Sequence, residues 1–283
     1  MQICKHINSL QQELAALTIQ GESLALVPTM GNLHAGHMSL VREARKLADR
    51  VVVSIFVNPM QFDREEDLAA YPRTLEEDIA KLEKARVDLL FSPVADEIYS
   101  EQAISRIHVP GLGEQLEGAS RPGHFDGVAT IVAKLFNLIQ PDVALFGEKD
   151  FQQLLLIRRM AEDLNFPVTV MGFPTVRESD GLAMSSRNGY LSSEQRQQAP
   201  ALYASLQKLE LALREGKTDY AELELQANKD LEIAGFGVDY VAIRRASDLG
   251  EPRGDEAELV VLASTWLGKA RLIDNIPVIL RDS

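Results

Sequence analysis

The run Val51-Val52-Val53-Ser54-Ile55-Phe56-Val57 constrains the fold more than any other segment of this 283-residue chain. It is almost wholly apolar, rich in β-branched residues, and shows no polar alternation. A strand with one wet face alternates apolar with polar; a strand apolar at nearly every position is covered on both faces, as in a parallel sheet between helices. Its neighbours fit that reading. The segment 24–28 reads as another buried strand, and 36–50 as a helix with Met38, Val41, Ala44 and Ala48 at core spacing. Thr74-Leu75-Glu76-Glu77 has the form of a capping box opening a further helix, with a strand at 88–91 behind it. A helix over 127–139 stops before Pro141, a strand follows at 143–146, then a helix at 151–164 and a strand at 168–172. This alternation predicts an α/β domain, a Rossmann-like doubly wound parallel sheet, over residues 1–174.

The rhythm changes after Pro174. A polar, Gly-containing stretch leads to a second capping box, Ser192-Ser193-Glu194-Gln195, and a helix with Leu202, Leu206, Leu209 and Leu213 on one face. A helix at 220–233 and strands at 238–243, 259–263 and 270–273 complete a smaller C-terminal α+β domain over 175–283.

Charge and cysteine content narrow the function classes. Acidic residues outnumber basic ones 42 to 29, for a formal charge of −13. A generic nucleic-acid binder needs the opposite balance, so no nucleic-acid partner is expected. The single Cys4 can form no internal disulfide and no Cys-rich metal site, which fits a reducing compartment. No apolar run approaches membrane-spanning length, and Gln11, Gln12 and Glu13 interrupt the N-terminal segment. A cytoplasmic protein without a membrane partner is the expectation, and Leu10, Leu14 and Leu17 fall at helical spacing.

Two loops carry chemistry. Met30-Gly31-Asn32-Leu33-His34-Ala35-Gly36-His37 joins the first strand of the series to the first helix. In an open parallel sheet ligands bind at the carboxyl ends of strands, and a helix start offers open amides and the positive end of its dipole. Two histidines three apart there suit a phosphate, and Gly31 and Gly36 allow close backbone approach. A metal site is the competing reading, but it needs three or four ligands, and His6, His108 and His124 form no second cluster in sequence. The second loop, Met184-Ser185-Ser186-Arg187, places two hydroxyls before a guanidinium, a set able to clamp triphosphate oxygens. Alone it reads as a solvated loop; paired with the histidine loop it becomes specific.

Together these motifs resemble the HIGH/KMSKS nucleotidyltransferase superfamily. Within it the chain is similar to the pantothenate synthetase (pantoate–β-alanine ligase) family. The similarity rests on Val27-Pro28-Thr29-Met30-Gly31, Phe56-Val57-Asn58-Pro59-Met60-Gln61-Phe62, Tyr71-Pro72-Arg73-Thr74, Glu117-Gly118-Ala119-Ser120-Arg121-Pro122-Gly123-His124-Phe125, Phe146-Gly147-Glu148-Lys149-Asp150-Phe151-Gln152-Gln153 and Met184-Ser185-Ser186-Arg187-Asn188-Gly189-Tyr190. The resemblance implies ATP-dependent joining of pantoate to β-alanine through a pantoyl adenylate, with Mg2+ accompanying ATP, in a homodimer. Another adenylyltransferase of the superfamily is the alternative, and a nucleotide-binding module without turnover is a rival from outside enzymes.

By resemblance, His37 is the proton donor and His34 and Lys149 act beside it on the phosphates. ATP is held by residues 30–37, by Gly147, Glu148, Lys149 and Asp150, by Val176, and by Met184, Ser185, Ser186 and Arg187. Gln61 and Gln153 bind pantoate, Gln61 also meets β-alanine, and Asn58 and Tyr71 line the same region. Lys149 read alone pairs with Glu148 or Asp150 on a solvated turn. Arg121 serves substrate charge, a dimer interface or only its own loop. The resemblance leaves open both the direct metal ligands and the base that deprotonates β-alanine.

Overall fold

A computed structural model of the chain describes residues 1–17 and 21–280. They form two compact units, one of residues 1–148 with 156–174, the other of residues 149–155 with 175–283.

The first unit holds, in chain order, β1 (Gln2–Cys4), α1 (Ile7–Leu17), β2 (Leu24–Thr29), α2 (Ala35–Leu47), β3 (Arg50–Ile55), α3 (Glu65–Ala70), α4 (Leu75–Lys84), β4 (Leu89–Phe91), α5 (Ala95–Ile98), α6 (Glu117–Ser120), α7 (His124–Ile139) and β5 (Val143–Gly147). Most of α8 (Phe151–Asp163) and β6 (Thr169–Phe173) complete it. The six strands form one sheet in the order β1-β4-β3-β2-β5-β6, with every pairing parallel. Successive side chains of a strand point to opposite faces, and here both sets are buried. Ala25, Val27, Val51 and Val53 join Leu40, Val41 and Ala44 of α2 and Leu82 of α4 in one core cluster, while Leu24, Leu26 and Val52 are buried as well. The nearly unbroken apolar pattern of β3 is thus explained by burial of both its faces.

The strand order reverses between β2 and β5: the chain runs from β2 to β3 and β4 on one side, and from β5 to β6 on the other. At such a switch point the loops leaving the two strands diverge and open a crevice at their carboxyl ends. The loop leaving β2 there is the one that carries His34 and His37.

The second unit contains α9 (Ser193–Gln198), α10 (Ala201–Arg214), α11 (Tyr220–Ile233) and an antiparallel sheet β7 (Gly237–Arg245), β8 (Glu258–Leu267), β9 (Ala270–Ile279) in that order. Leu202, Leu206, Leu209 and Leu213 of α10 and Leu231 of α11 pack with Val241, Ile243, Val261 and Leu272 of the sheet. The Ser192 capping box is formed, with Ser192 and Gln195 exchanging side-chain and amide hydrogen bonds.

Several local expectations are corrected. Arg50 begins β3 instead of ending α2, because its guanidinium reaches Glu22 and Asp88. One helix was expected after Ser192; two form, and Pro200 stands between them. Thr74 precedes α4 but makes no side-chain cap, since its hydroxyl donates to Asp78. Residues 149–155, assigned to the first domain from the sequence, group with the second unit, where Asn275 of β9 holds the Lys149 carbonyl at 2.8 Å. The strands and short helices β1, α3, α5 and α6 had no sequence signal strong enough to separate them from loop.

Candidate functional site

The geometry at the end of β2 starts from two histidines that cap their own helix. His34 is the N-cap of α2 in extended conformation (φ −118°, ψ 179°), and its Nδ1 accepts the Gly36 amide at 3.2 Å. The same side chain takes the His37 amide, while the His37 Nδ1 accepts the His34 amide at 3.3 Å. The two rings lie 4.0 Å apart, centroid to centroid. A nitrogen that accepts an N–H carries no proton, so each neutral ring bears its hydrogen on Nε2. The reciprocal cap therefore selects one tautomer in both rings and presents two Nε2–H donors, the form needed to bind a phosphate oxygen.

This corrects the expectation of open amides at the helix start. The amides of His34, Gly36 and His37 are taken by the imidazoles, and those of Asn32 and Leu33 by a carboxylate of α4. Leu33 is buried in the core cluster beneath β2, and Met30, Asn32 and Gly36 are half-buried while Ala35 is exposed. Gly31 stands at φ 83°, where a Cβ would meet Ile55 at 3.0 Å.

The second constellation of the first unit is the turn Asn58–Phe62. Asn58 is 1% exposed and caps the short helical turn Pro59–Gln61. Its Nδ2 donates to Gln61 Oε1 and to the Gly127 carbonyl, both at 3.0 Å, and its Oδ1 accepts from the Tyr99 hydroxyl at 2.9 Å. With its polar atoms used inside the protein, Asn58 acts on Gln61 and has nothing left to offer a ligand directly. Gln61 Oε1 is thereby an acceptor from Asn58, which leaves its amide nitrogen as the donor, lying 2.9 Å from the Met30 sulfur. Tyr71 is buried, with its ring edge-on to Phe62 at 5.7 Å. Burial pushes the Tyr99 phenol well above its usual range, so that it stays a neutral donor to Asn58.

Arg121, left open by the sequence, has a structural use. Its Nη2 donates to the Gln61 carbonyl at 3.0 Å, and it pairs with Glu117 and Asp63. His124 Nδ1 donates to the same carbonyl at 2.8 Å, which makes its Nε2 the acceptor facing Arg121. Arg121, just after α6, and His124, the first residue of α7, grip the backbone of Gln61.

In the second unit, Arg177 and Ala183 form an isolated antiparallel bridge, and the Met184 amide donates to the Val176 carbonyl at 2.9 Å. Val176 and Met184 are so brought side by side. Ser185 caps the short turn Ser186–Tyr190 by accepting the Arg187 amide at 3.3 Å. The base of this loop is fixed by Arg177, bidentate to Asp274 at 2.6 and 2.9 Å and stacked on the Tyr203 ring. The next residue of β9, Asn275, holds the Lys149 carbonyl. Two adjacent side chains of one strand thus anchor both segments expected to meet phosphate. Among the described residues neither Lys149 nor Arg187 is paired with a carboxylate, so the solvated ion pair considered for Lys149 does not form. Gln153 is half-buried on the first turn of α8.

The model of one family, described as pantoate-beta-alanine ligase, matches residues 2–277. The chain belongs to the pantoate-beta-alanine ligase family. The pantothenate synthetase of Thioalkalivibrio sulfidiphilus is 61% identical over 265 residues, 93% of either chain. Among solved structures, the pantothenate synthetase of Thermus thermophilus superposes with a TM-score of 0.91 at 46% identity, over 98% of this chain and 99% of that one. The Francisella tularensis pantoate-beta-alanine ligase, complexed with beta-gamma ATP and beta-alanine, gives 0.82 at 34% identity, over 98% and 97%.

For a member of this family, the residues that sequence reasoning missed are the supports: Asp78, Tyr99, Gly127, Asp274 and Asn275. One signal was legible. Asp274 and Asn275 are two adjacent polar residues inside the apolar stretch Leu272–Ile276, and both are buried. Such residues are hydrogen-bonded to something that matters. No group of three or more His, Cys, Asp or Glu side chains able to hold a metal exists among the described residues.

Proposed function

We propose that this protein joins the carboxylate of pantoate to the amine of β-alanine at the expense of ATP, through a pantoyl adenylate. The observation that carries the reading is the pair of reciprocally capped histidines at the switch point of the sheet, in a chain of this family. In the first step a pantoate carboxylate oxygen attacks the α-phosphorus, and the bond to the bridging oxygen breaks to release pyrophosphate. A carboxylate is ionised at neutral pH, so no base is required. What is required is orientation, and donors aimed at the charge that gathers on the phosphates. The Nε2–H groups of His34 and His37 fit that task, with His37 the donor to the departing pyrophosphate. Lys149 and Arg187, cations without a carboxylate partner among the described residues, suit the phosphate oxygens, with Ser185 and Ser186 beside Arg187. Met30 to Asn32, Ala35, Gly36, Gly147 to Asp150, Val176 and Met184 complete the nucleotide contacts; Leu33, expected among them, is buried with its amide and carbonyl held from α4 and backs the loop instead.

In the second step the β-alanine nitrogen attacks the acyl carbon, the acyl–oxygen bond breaks, and AMP leaves. Gln61 is suited to both acids: its amide donates without adding charge to a site that already holds a triphosphate. Gln153 binds pantoate with it, and Tyr71 backs the turn. Mg2+ brought in by ATP would supply charge neutralisation at the phosphates, where Lys149 and Arg187 also serve. The C-terminal unit contributes the Ser185–Arg187 loop to this chemistry. The enzyme works in the cytoplasm as a homodimer, an assembly that equilibrium sedimentation tests.

Omitting one substrate at a time tests the reaction. Pyrophosphate release should depend on pantoate and not on β-alanine, and AMP release should need both; dinucleotide products would instead indicate another adenylyltransferase. A second test uses His37→Gln. Glutamine at that position can still accept the His34 amide, as in an ordinary capping box, but supplies no imidazole. Adenylation should slow by about 10²–10³-fold, the usual effect of losing one such donor, with thermal stability held. Parent single-turnover rates would refute the role of His37.

A further inference from the structure

The carboxylate of Asp78 lies beneath the histidine loop and is fully buried. It belongs to α4, a helix that contributes no residue to the substrate contacts proposed above. Its Oδ2 accepts the Asn32 amide at 2.7 Å and its Oδ1 the Leu33 amide at 2.8 Å. The Thr74 hydroxyl adds a contact at 3.2 Å and the Lys81 ammonium one at 3.4 Å. Lys81 also donates to the Leu33 carbonyl at 2.7 Å. The backbone of residues 32–33 is therefore gripped through two amides and one carbonyl by a single side-chain pair.

That segment needs gripping. Gly31 has φ 83° and Asn32 φ 50°, both left-handed; asparagine enters that region more readily than other side chains but still holds it only where its surroundings fix it. Immediately after it comes His34, whose extended conformation as N-cap makes the reciprocal imidazole pair possible. A negative charge buried under a loop that receives a triphosphate also repels its ligand through a low-dielectric interior. Such a charge is tolerable only if its positional role outweighs the repulsion and a cation offsets it from behind. Lys81 stands there.

We propose that Asp78 is a positioning residue for the nucleotide loop. It pins the backbone of residues 32–33 and so fixes the left-handed turn at Gly31 and Asn32 that delivers His34 and His37 as paired Nε2–H donors, with Lys81 neutralising its charge. This rests on the assignment of the two histidines to ATP, and the tests below separate the two claims.

Asp78→Asn keeps the size but leaves one carbonyl oxygen where two acceptors stood, so one of the two amides must face an NH2 group in either rotamer. Imidazole 15N spectra of the ligand-free protein should show His34 and His37 with protonated Nε2 in the parent and a loss of that uniform tautomer in the variant. The KM for ATP should rise on the order of 10- to 100-fold, what losing one hydrogen bond to a charged group does to an equilibrium, while the KM for pantoate holds. A merely structural role predicts a lower melting temperature with both readouts unmoved. A folded variant with the parent histidine spectrum and parent KM overturns the proposal.

If Asp78→Asn does not fold, Lys81→Met decides. It should raise the KM for ATP, and Lys81→Arg should restore it; a parent KM in Lys81→Met overturns the proposal. Because the spectra need no turnover, a shift in a protein that releases no pyrophosphate would uphold Asp78 and fail the ATP reading alone.

Discussion

Gly127→Ala sets two opposite effects against each other, and the structure decides the sign. In a helix interior, replacing glycine by alanine stabilises by about 1 kcal/mol. A Cβ on Gly127, however, would overlap the Met60 carbonyl oxygen and lie 2.5 Å from its carbon and 2.7 Å from the Gln61 amide nitrogen. A carbon–oxygen contact relaxes only to about 3.3–3.6 Å even when a C–H donates, so α7 and the Asn58–Phe62 turn must separate by roughly 1 Å. The obstacle is backbone, not a flexible side-chain end. Overpacking of this kind costs about 1–3 kcal/mol, and it outweighs the propensity gain. The turn it displaces carries Gln61, and Asn58 loses its grip on the Gly127 carbonyl, now at 3.0 Å. A misplacement of about 1 Å costs on the order of 10²-fold in rate. We therefore expect kcat/KM for pantoate to fall about 10²-fold in a pyrophosphate-release assay, with the KM for ATP held and the melting temperature lowered. A variant that melts higher than the parent, with unchanged kcat/KM for pantoate, would show that propensity wins and that α7 does not set the turn.

Asp274→Ala removes the bidentate partner of Arg177, a mostly covered guanidinium with a buried acceptor. The loss should be about 3–5 kcal/mol, as for one partner of a buried pair, read by denaturant unfolding together with a raised KM for ATP as the Val176–Met184 loop loosens. A loss within the range of a surface ion pair, roughly 0–1 kcal/mol, would refute the anchor. His108 gives a pH dependence: hydrogen bonding and attraction from Asp126 raise its pKa above the usual value. A raised folded-state pKa means a contribution fully present below the unfolded-state value of about 6.5 and lost as the pH climbs through the folded value. His108→Gln should flatten the stability profile in that window; an unchanged profile would refute the link.

The parallel sheet was legible in sequence because burial on two faces removes polar residues from a strand, and Val51 to Val57 carries that mark without help from other segments. The histidine and Ser-Ser-Arg loops were legible because a triphosphate demands donors and cations at short spacing. The roles of Asn58 and Arg121 were not. An amide and a guanidinium near a site look the same in sequence whether they meet a ligand or a carbonyl sixty residues away, as Arg121 meets that of Gln61. Thr74 illustrates the same limit, since a capping box is a local pattern and its hydroxyl is claimed by Asp78. Asp78 in turn reaches Asn32 and Leu33, 46 and 45 residues distant. Local pattern thus carries the elements and the chemical groups of this chain. Which tautomer the histidines adopt and what holds their loop depend on hydrogen bonds that exist only once β2 and α4 are packed together, because those bonds join residues that no periodicity relates.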